Sequence, residues 1–204
     1  NHQSQRVGDP ADFAPGFNDH AFIAQFLDGK DAAFSSGDIG RLYWGKVKSL
    51  TRNVLYLTPR TVLMLDIAVP ETNDIDVNLL YQTMELDDIK VGDDVSSITK
   101  AGDKLNIIHL TSDNMNAEAV ETPHYIKTLN NVRPLKKEGM IKLTYQTEDA
   151  KPLVMANIIT TNDTESVASE IHDGFVSGTA SGKNFAYSTK PAASYMIEDI
   201  QTDA

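Results

Sequence analysis

The amino-acid sequence predicts an all-β protein, a large antiparallel β-sandwich with few or no long helices. Three observations lead there. Short apolar runs recur along the chain with turn residues between them. No stretch carries the 3.6-residue periodicity of a long amphipathic helix. The best-defined pair of runs, Val47–Leu57 and residues 61–69, is apolar on both of its faces, which fits a sheet buried between layers. The 204 residues are 41% hydrophobic, enough for a sizeable core and too apolar for a fully disordered chain. We read one sandwich domain over residues 1–204, with an irregular lead-in at 1–30 and terminal strands within 162–204.

The lead-in is broken by Asp9, Pro10, Pro15, Gly16 and Asn18. The apolar run 21–27 is short enough to be either a strand or a turn or two of helix. From Ala32 onward the texture is β. The runs 47–57 and 61–69 are joined by Thr58-Pro59-Arg60, where proline presets the φ of a tight reversal, so a hairpin is expected. In its first strand Val54 and Tyr56 oppose Leu55 and Leu57; in its second, Val62 and Met64 oppose Leu63 and Leu65. Cover is therefore expected on both sides, one from the second sheet of the sandwich and one from a neighbouring domain. Ile75–Thr83 reads as a strand. Residues 103–110 read as another, entered through the turn Lys100-Ala101-Gly102-Asp103. Residues 140–147 set Ile141, Leu143 and Tyr145 against Lys142, Thr144 and Gln146. Residues 151–161 follow the turn Glu148-Asp149-Ala150, and 183–189 and 194–200 read as the last strands. The polar stretch 162–171 suits a loop or a short helix. The Gly- and Ser-rich stretch 174–182 suits a hairpin loop, since it lacks the Lys-Ser/Thr of a phosphate-binding loop.

Charge and composition narrow the function. A formal net charge of -11 repels phosphate backbones, so nucleic acid is not an expected partner. The absence of cysteine removes disulfides, thiolate metal sites and thiol nucleophiles. No stretch approaches the roughly 20 apolar residues of a membrane helix, so no membrane partner is expected. The chain opens at Asn1 without a charged-then-apolar leader, which suggests a processed or excised piece.

A set of marks carries a family resemblance. Gly37-Asp38, Leu42-Tyr43, the run Arg52-Asn53-Val54-Leu55-Tyr56-Leu57-Thr58-Pro59 and then Val62-Leu63-Met64-Leu65-Asp66 resemble the sandwich of the heparinase II/III-like polysaccharide lyases. The later Thr147-Glu148-Asp149-Ala150-Lys151-Pro152-Leu153-Val154 is similar to that family's late hairpin. The likeness spans residues 3–161; the terminal strands within 162–204 match nothing in it. It implies a secreted or periplasmic parent enzyme with an N-terminal α-helical toroid ahead of the sandwich. Such an enzyme cleaves acidic, uronic-acid-containing polysaccharide by β-elimination. The family's sandwich also carries a His-x-His stretch and a His-Asn pair, some of them zinc ligands. Neither occurs here, and Asn1-His2 has the reverse order. The resemblance therefore implies a C-terminal sandwich fragment that walls or buttresses the cleft. No catalytic residue, metal or cofactor is assigned to it, and alone it is expected to be inactive. A competing reading is a non-catalytic carbohydrate-binding or adhesion module of immunoglobulin-like type.

The candidate contact residues are few. Arg41, Tyr43 and Trp44 form a compact basic-aromatic cluster suited to a sugar face and a carboxylate or sulfate, and His20 is the best lone histidine for substrate contact. Tyr43 and Trp44 also suit a core or interface role. His2, His20, His109, His124 and His172 show no metal-ligand spacing. His109 alternates with Leu105 and Ile107 and is expected in the core. Arg52 is expected to pair with Asp38 or Asp66. Asp87-Asp88 and Asp93-Asp94 lack the spacing of a calcium loop, and no Gly-x-Ser-x-Gly elbow is present.

Overall fold

The computed structural model describes residues 21–43, 46–57, 59–73, 75–83, 85–111, 114–122, 125–128, 131–134, 138–147, 151–161, 168–172, 175–180, 182–188, 194–197 and 200–203. In chain order the strands are β1 (Phe22–Asp28), β2 (Ala32–Asp38), β3 (Val47–Leu57), β4 (Thr61–Pro70), β5 (Ile75–Thr83), β6 (Ile89–Lys90), β7 (Val95–Lys100), β8 (Asp103–His109) and β9 (Met115–Thr122). They continue as β10 (Tyr125–Thr128), β11 (Asn131–Pro134), β12 (Glu138–Thr147), β13 (Leu153–Thr160), β14 (Ala168–His172), β15 (Phe175–Ala180), β16 (Lys183–Ser188), β17 (Ser194–Ile197) and β18 (Ile200–Asp203). Every pairing is antiparallel, and the described helical elements are two short 3-10 turns, Gly40–Tyr43 and Leu86–Asp88. The fold class expected from the sequence is the one observed.

An eight-stranded sheet forms the middle layer in the order β1-β2-β3-β4-β13-β8-β7-β6. The three-stranded sheet β5-β12-β9 and the three-stranded sheet β14-β15-β16 are separate, as are the hairpins β10-β11 and β17-β18. The register explains how the central hairpin is buried. On β4, Ala68 joins Leu50, Ile107 and Met155 in a core closed by Leu79, Ile141, Leu143 and Tyr145 of β5-β12-β9. Leu63 and Leu65 join Leu57, Ala156 and Ile158 in a second core closed by Val176, Ala180 and Phe185 of β15 and β16. Side chains alternate across a strand, so odd and even positions of β4 and β13 feed different cores. The face of Leu57, Leu63 and Leu65 is thus covered, whereas the opposite face is covered only toward Leu50 and Ala68. Near the turn Val54, Val62 and Met64 are half-buried and Tyr56 is exposed, so the two-sided cover expected from the apolar pattern is partial. The cover over Leu63 and Leu65 is a small sheet of this same chain, where the sequence suggested a neighbouring domain.

Turn chemistry matches its sequence signals. Ala101 and Gly102 have φ of 52° and 91°, the left-handed pair that a two-residue hairpin between β7 and β8 requires. Other expectations are settled or corrected. For the run 21–27, where the sequence leaves a strand and a helical turn both open, the structure gives strand β1 at the end of the lead-in. The stretch 174–182 is not a hairpin loop, because Phe175–Ala180 is the central strand of β14-β15-β16. Its small residues Gly178 and Ala180 sit in register against Phe185 and Lys183, where bulk on one strand offsets its lack on the other. Within 162–171, Ala168–His172 begins a strand instead of a helix. Residues 194–200 split into the hairpin β17-β18.

Candidate functional site

The marks that carried the family likeness build one local arrangement. β2 ends at Asp38, whose Oδ1 accepts a hydrogen bond of 2.8 Å from the Gly40 backbone N–H. Gly40 is fixed by crowding: a Cβ there would stand 2.7 Å from the Leu50 backbone nitrogen. The chain then makes the 3-10 turn Gly40–Tyr43, held to β3 by the bond from Ile39 N–H to Leu50 O. On this turn Arg41 is exposed, while Tyr43 is half-buried against the first core beside Ile39 and Val47. Of the four sequence-derived contact candidates, Arg41 and Tyr43 share this turn; Trp44 and His20 lie outside the described residues.

A second arrangement lies beneath the turn. Arg52 and Asp66 are register partners on β3 and β4, and Arg52 Nε and Nη2 donate to the two Asp66 carboxylate oxygens at 2.8 Å each. Asp66 is 1% exposed and the Arg52 side chain 40%. The pair expected from the sequence therefore forms with Asp66, and Asp38 serves the turn instead. Hydrogen bonding to Asp66 raises the Arg52 pKa against the opposing effect of burial. Tyr81 of β5 reaches the same region. Its phenol oxygen is buried without a hydrogen-bond partner, and burial pushes its pKa upward.

The third arrangement is interior. His109 Nε2 lies 3.0 Å from Ser96 Oγ, and Nδ1 lies 3.0 Å from Asn157 Oδ1. Asn157 Nδ2 donates at 3.4 Å to the Tyr145 hydroxyl. Ser96 and Asn157 are 0% exposed and His109 7%. The order Ser-His-Asn is that of a nucleophilic triad, but no substrate reaches a serine so enclosed, and we assign it no catalysis. Sequence reading placed His109 in the core correctly. It missed the partners, Ser96 on the adjoining hairpin strand β7 and Asn157, 48 residues away on β13. Elsewhere, on the three-stranded sheet, Glu118 accepts from Lys142 Nζ at 2.7 Å.

At the sheet's edge, Ala21, Phe22, Ile23, Ser35, Gly37, Ile39, Arg52 and Val54 border an open groove of about 240 Å³ with a nearly apolar lining. Along β1, Ile23, Phe26 and Leu27 are 64–71% exposed. No group of three His, Asp or Glu able to hold a metal is found among the described residues. No described helix is long and apolar enough to cross a membrane.

No family model matches the chain, and no curated protein sequence matches it. Solved structures do. The heparan sulfate lyase HepC from Pedobacter heparinus superimposes with a TM-score of 0.64 at 15% identity, over 83% of this chain and 28% of that one. The heparinase III that is the BT4657 gene product gives 0.62 at 10% identity, over 82% and 27%. A further heparinase III structure gives 0.62 at 9% identity, over 82% and 27%. The chain thus spans under a third of the length of the structures it matches. At these identities the likeness is one of fold, and it places this chain's strands in the arrangement found in part of the heparinase III structures, as the sequence marks led us to expect.

Proposed function

We propose that this chain is the C-terminal β-sandwich portion of a longer polysaccharide lyase that cleaves uronic-acid-containing polysaccharide by β-elimination. Its own role is to support the enzyme and wall one side of the substrate cleft. The observation that carries the reading is the fold match, which takes in four-fifths of this chain and little more than a quarter of the heparinase III chains. The missing remainder corresponds to the α-helical toroid that the family resemblance implies. The exposed apolar strand β1, with Phe22, Ile23, Phe26 and Leu27, suits a surface that is covered in the full protein better than one exposed for good. Where the sandwich touches the polysaccharide, the reading assigns contact to Arg41 and Tyr43 of the 3-10 turn, together with Trp44 and His20. Proton abstraction and leaving-group protonation belong to the remainder of the parent. A secreted or periplasmic location follows from the substrate class, and neither nucleic acid nor a membrane is a partner on this reading.

The test compares the chain alone with the full-length parent on heparan sulfate and on alginate, following the ultraviolet absorbance of the unsaturated uronate product. The parent produces the signal and the isolated chain does not. Product formed by the chain alone would overturn the supporting role. Retention of the isolated chain on a glycan affinity gel would favour the carbohydrate-binding module instead.

A further inference from the structure

The buried histidine stands where the chain passes between layers. His109 is the last residue of β8 in the eight-stranded sheet, and six residues later the chain enters β9 of the three-stranded sheet. Both ends of the crossing are tied. His109 N–H donates to Asp94 O at 2.8 Å, Leu110 N–H to Ala156 O at 3.0 Å, and Gln146 N–H to Asn114 O at 3.1 Å. Thr111 Oγ1 accepts from Ala156 N–H at 2.9 Å and also bonds the Tyr145 hydroxyl. The side chains Ser96, His109, Asn157 and Tyr145 therefore run as one chain of hydrogen bonds from β7 through β8 and β13 to β12, from one sheet to the other.

We infer that this Ser96–His109–Asn157–Tyr145 chain is an acid-sensitive fastening, which holds the sheet β5-β12-β9 on the eight-stranded sheet and loosens when His109 takes a second proton. With Asn157 Oδ1 turned to the ring, Nδ1 carries the proton and Nε2 accepts from Ser96. A second proton lands on Nε2. Ser96 can rotate to accept it, so no hydrogen bond is lost. What is lost is solvation, because the cation sits among side chains with almost no access to water. The groups around the ring offer little to offset this. β7 supplies the Ser96 hydroxyl, β13 the Asn157 amide, and β12 the Tyr145 phenol beyond it. Among the described residues the Asp94 carboxylate favours the cation electrostatically, and Asp66 bears on Tyr145. Burial outweighs Asn157 and Asp94, so the His109 pKa lies below its ordinary value. The unfolded chain then takes up this proton first as pH falls, and stability drops from about pH 6.5 downward.

Amide hydrogen exchange, corrected for the intrinsic rate, reads the fastening strand by strand, and ring NMR follows His109. As pH is lowered from neutral toward about 5, protection falls in β8, β9 and β12 but not in β2, β3 and β4; the fall begins while the His109 ring of the folded protein is still neutral and levels off once that ring is charged. In the His109→Gln protein the loss disappears. A charged His109 with protection intact, the same loss in His109→Gln, or a ring that stays neutral with unchanged protection at about pH 5 would each overturn the inference. Should His109→Gln not fold, the wild-type order of events, with protection falling in those strands before the ring charges, decides alone.

Discussion

Arg52 and Asp66 face each other across β3 and β4 and close two parallel hydrogen bonds, with the carboxylate wholly enclosed and the guanidinium partly in water. The asymmetry sets the outcome of mutation. Removing the arginine strands a buried charge, which for a fully buried pair costs roughly 3–5 kcal/mol. Arg52 reaches solvent, so Arg52→Ala is expected to cost about 2 kcal/mol after allowance for screening. Arg52→Lys recovers only part, since an ammonium cannot form the two-pronged contact. Urea unfolding followed by circular dichroism measures both, and equal stabilities for Lys and Arg would contradict the geometry.

Tyr81 supplies an alkaline prediction. Its folded pKa is raised by burial, so the unfolded chain loses the proton first as pH climbs. The stability that depends on it is intact below the ordinary phenol value of about 10 and declines above it. Tyr81→Phe removes a hydroxyl with no partner, so at neutral pH it changes stability by less than about 1 kcal/mol or improves it. At high pH Tyr81→Phe unfolds later than the parent, while Tyr145 and Tyr187, also raised by burial, keep some alkaline sensitivity. Tyrosinate absorbance against pH checks this.

Both cores on β4 are needed. Leu65→Ala empties space in the core shared with Val176 and Phe185, and Leu143→Ala does so in the core shared with Met155. Each is expected to cost about 2–5 kcal/mol. If Leu65→Ala proved harmless in urea unfolding, the sheet β14-β15-β16 would not be seated on that face.

Gly40→Ala forces a Cβ to within 2.7 Å of the Leu50 nitrogen, so the turn bearing Arg41 must move. A loss of about 1–3 kcal/mol is expected from such crowding. Gly102→Ala meets no atom within 4 Å and suffers only from its φ of 91°. Thermal melts of the two variants separate crowding from backbone strain.

Strand β1 should tolerate charge. Phe26→Lys or Leu27→Lys, both at exposed positions, is expected to shift stability by no more than about 0.5 kcal/mol. Either change should reduce self-association seen by light scattering, because lysine on an edge strand opposes strand-to-strand pairing.

Much of this was legible in local pattern. Pro59 marked the reversal between β3 and β4, Ala101-Gly102 marked the next hairpin, and the apolar runs around Leu55 and Leu63 announced the covered face, while their second apolar face, with Tyr56, stays partly exposed. What stayed hidden depends on distance or on compensation. β15 looked like a loop because Gly178 and Ser177 are poor strand formers by themselves; Phe185, opposite Gly178, supplies packing. His109 looked like an isolated core residue because its partner Asn157 is 48 residues away. The turn carrying Arg41 could be guessed from Asp38 and Gly40, yet nothing local says that Asp38 caps it while Asp66, 14 residues from Arg52, takes the arginine.

β13 occupies the slot between β4 and β8, and the Thr61–Thr160 hydroxyl contact there joins residues 99 positions apart. During synthesis, the strands made first and the strands made in the middle of the chain wait as two half-sheets, each with a raw edge of unpaired amides and carbonyls. Only the late arrival of residues 153–160 welds them. A chain interrupted before that point keeps the hairpins from β1 to β11 but has no continuous sheet, so assembly is paced by one long loop closure, with its slow folding and its exposure to wrong partners.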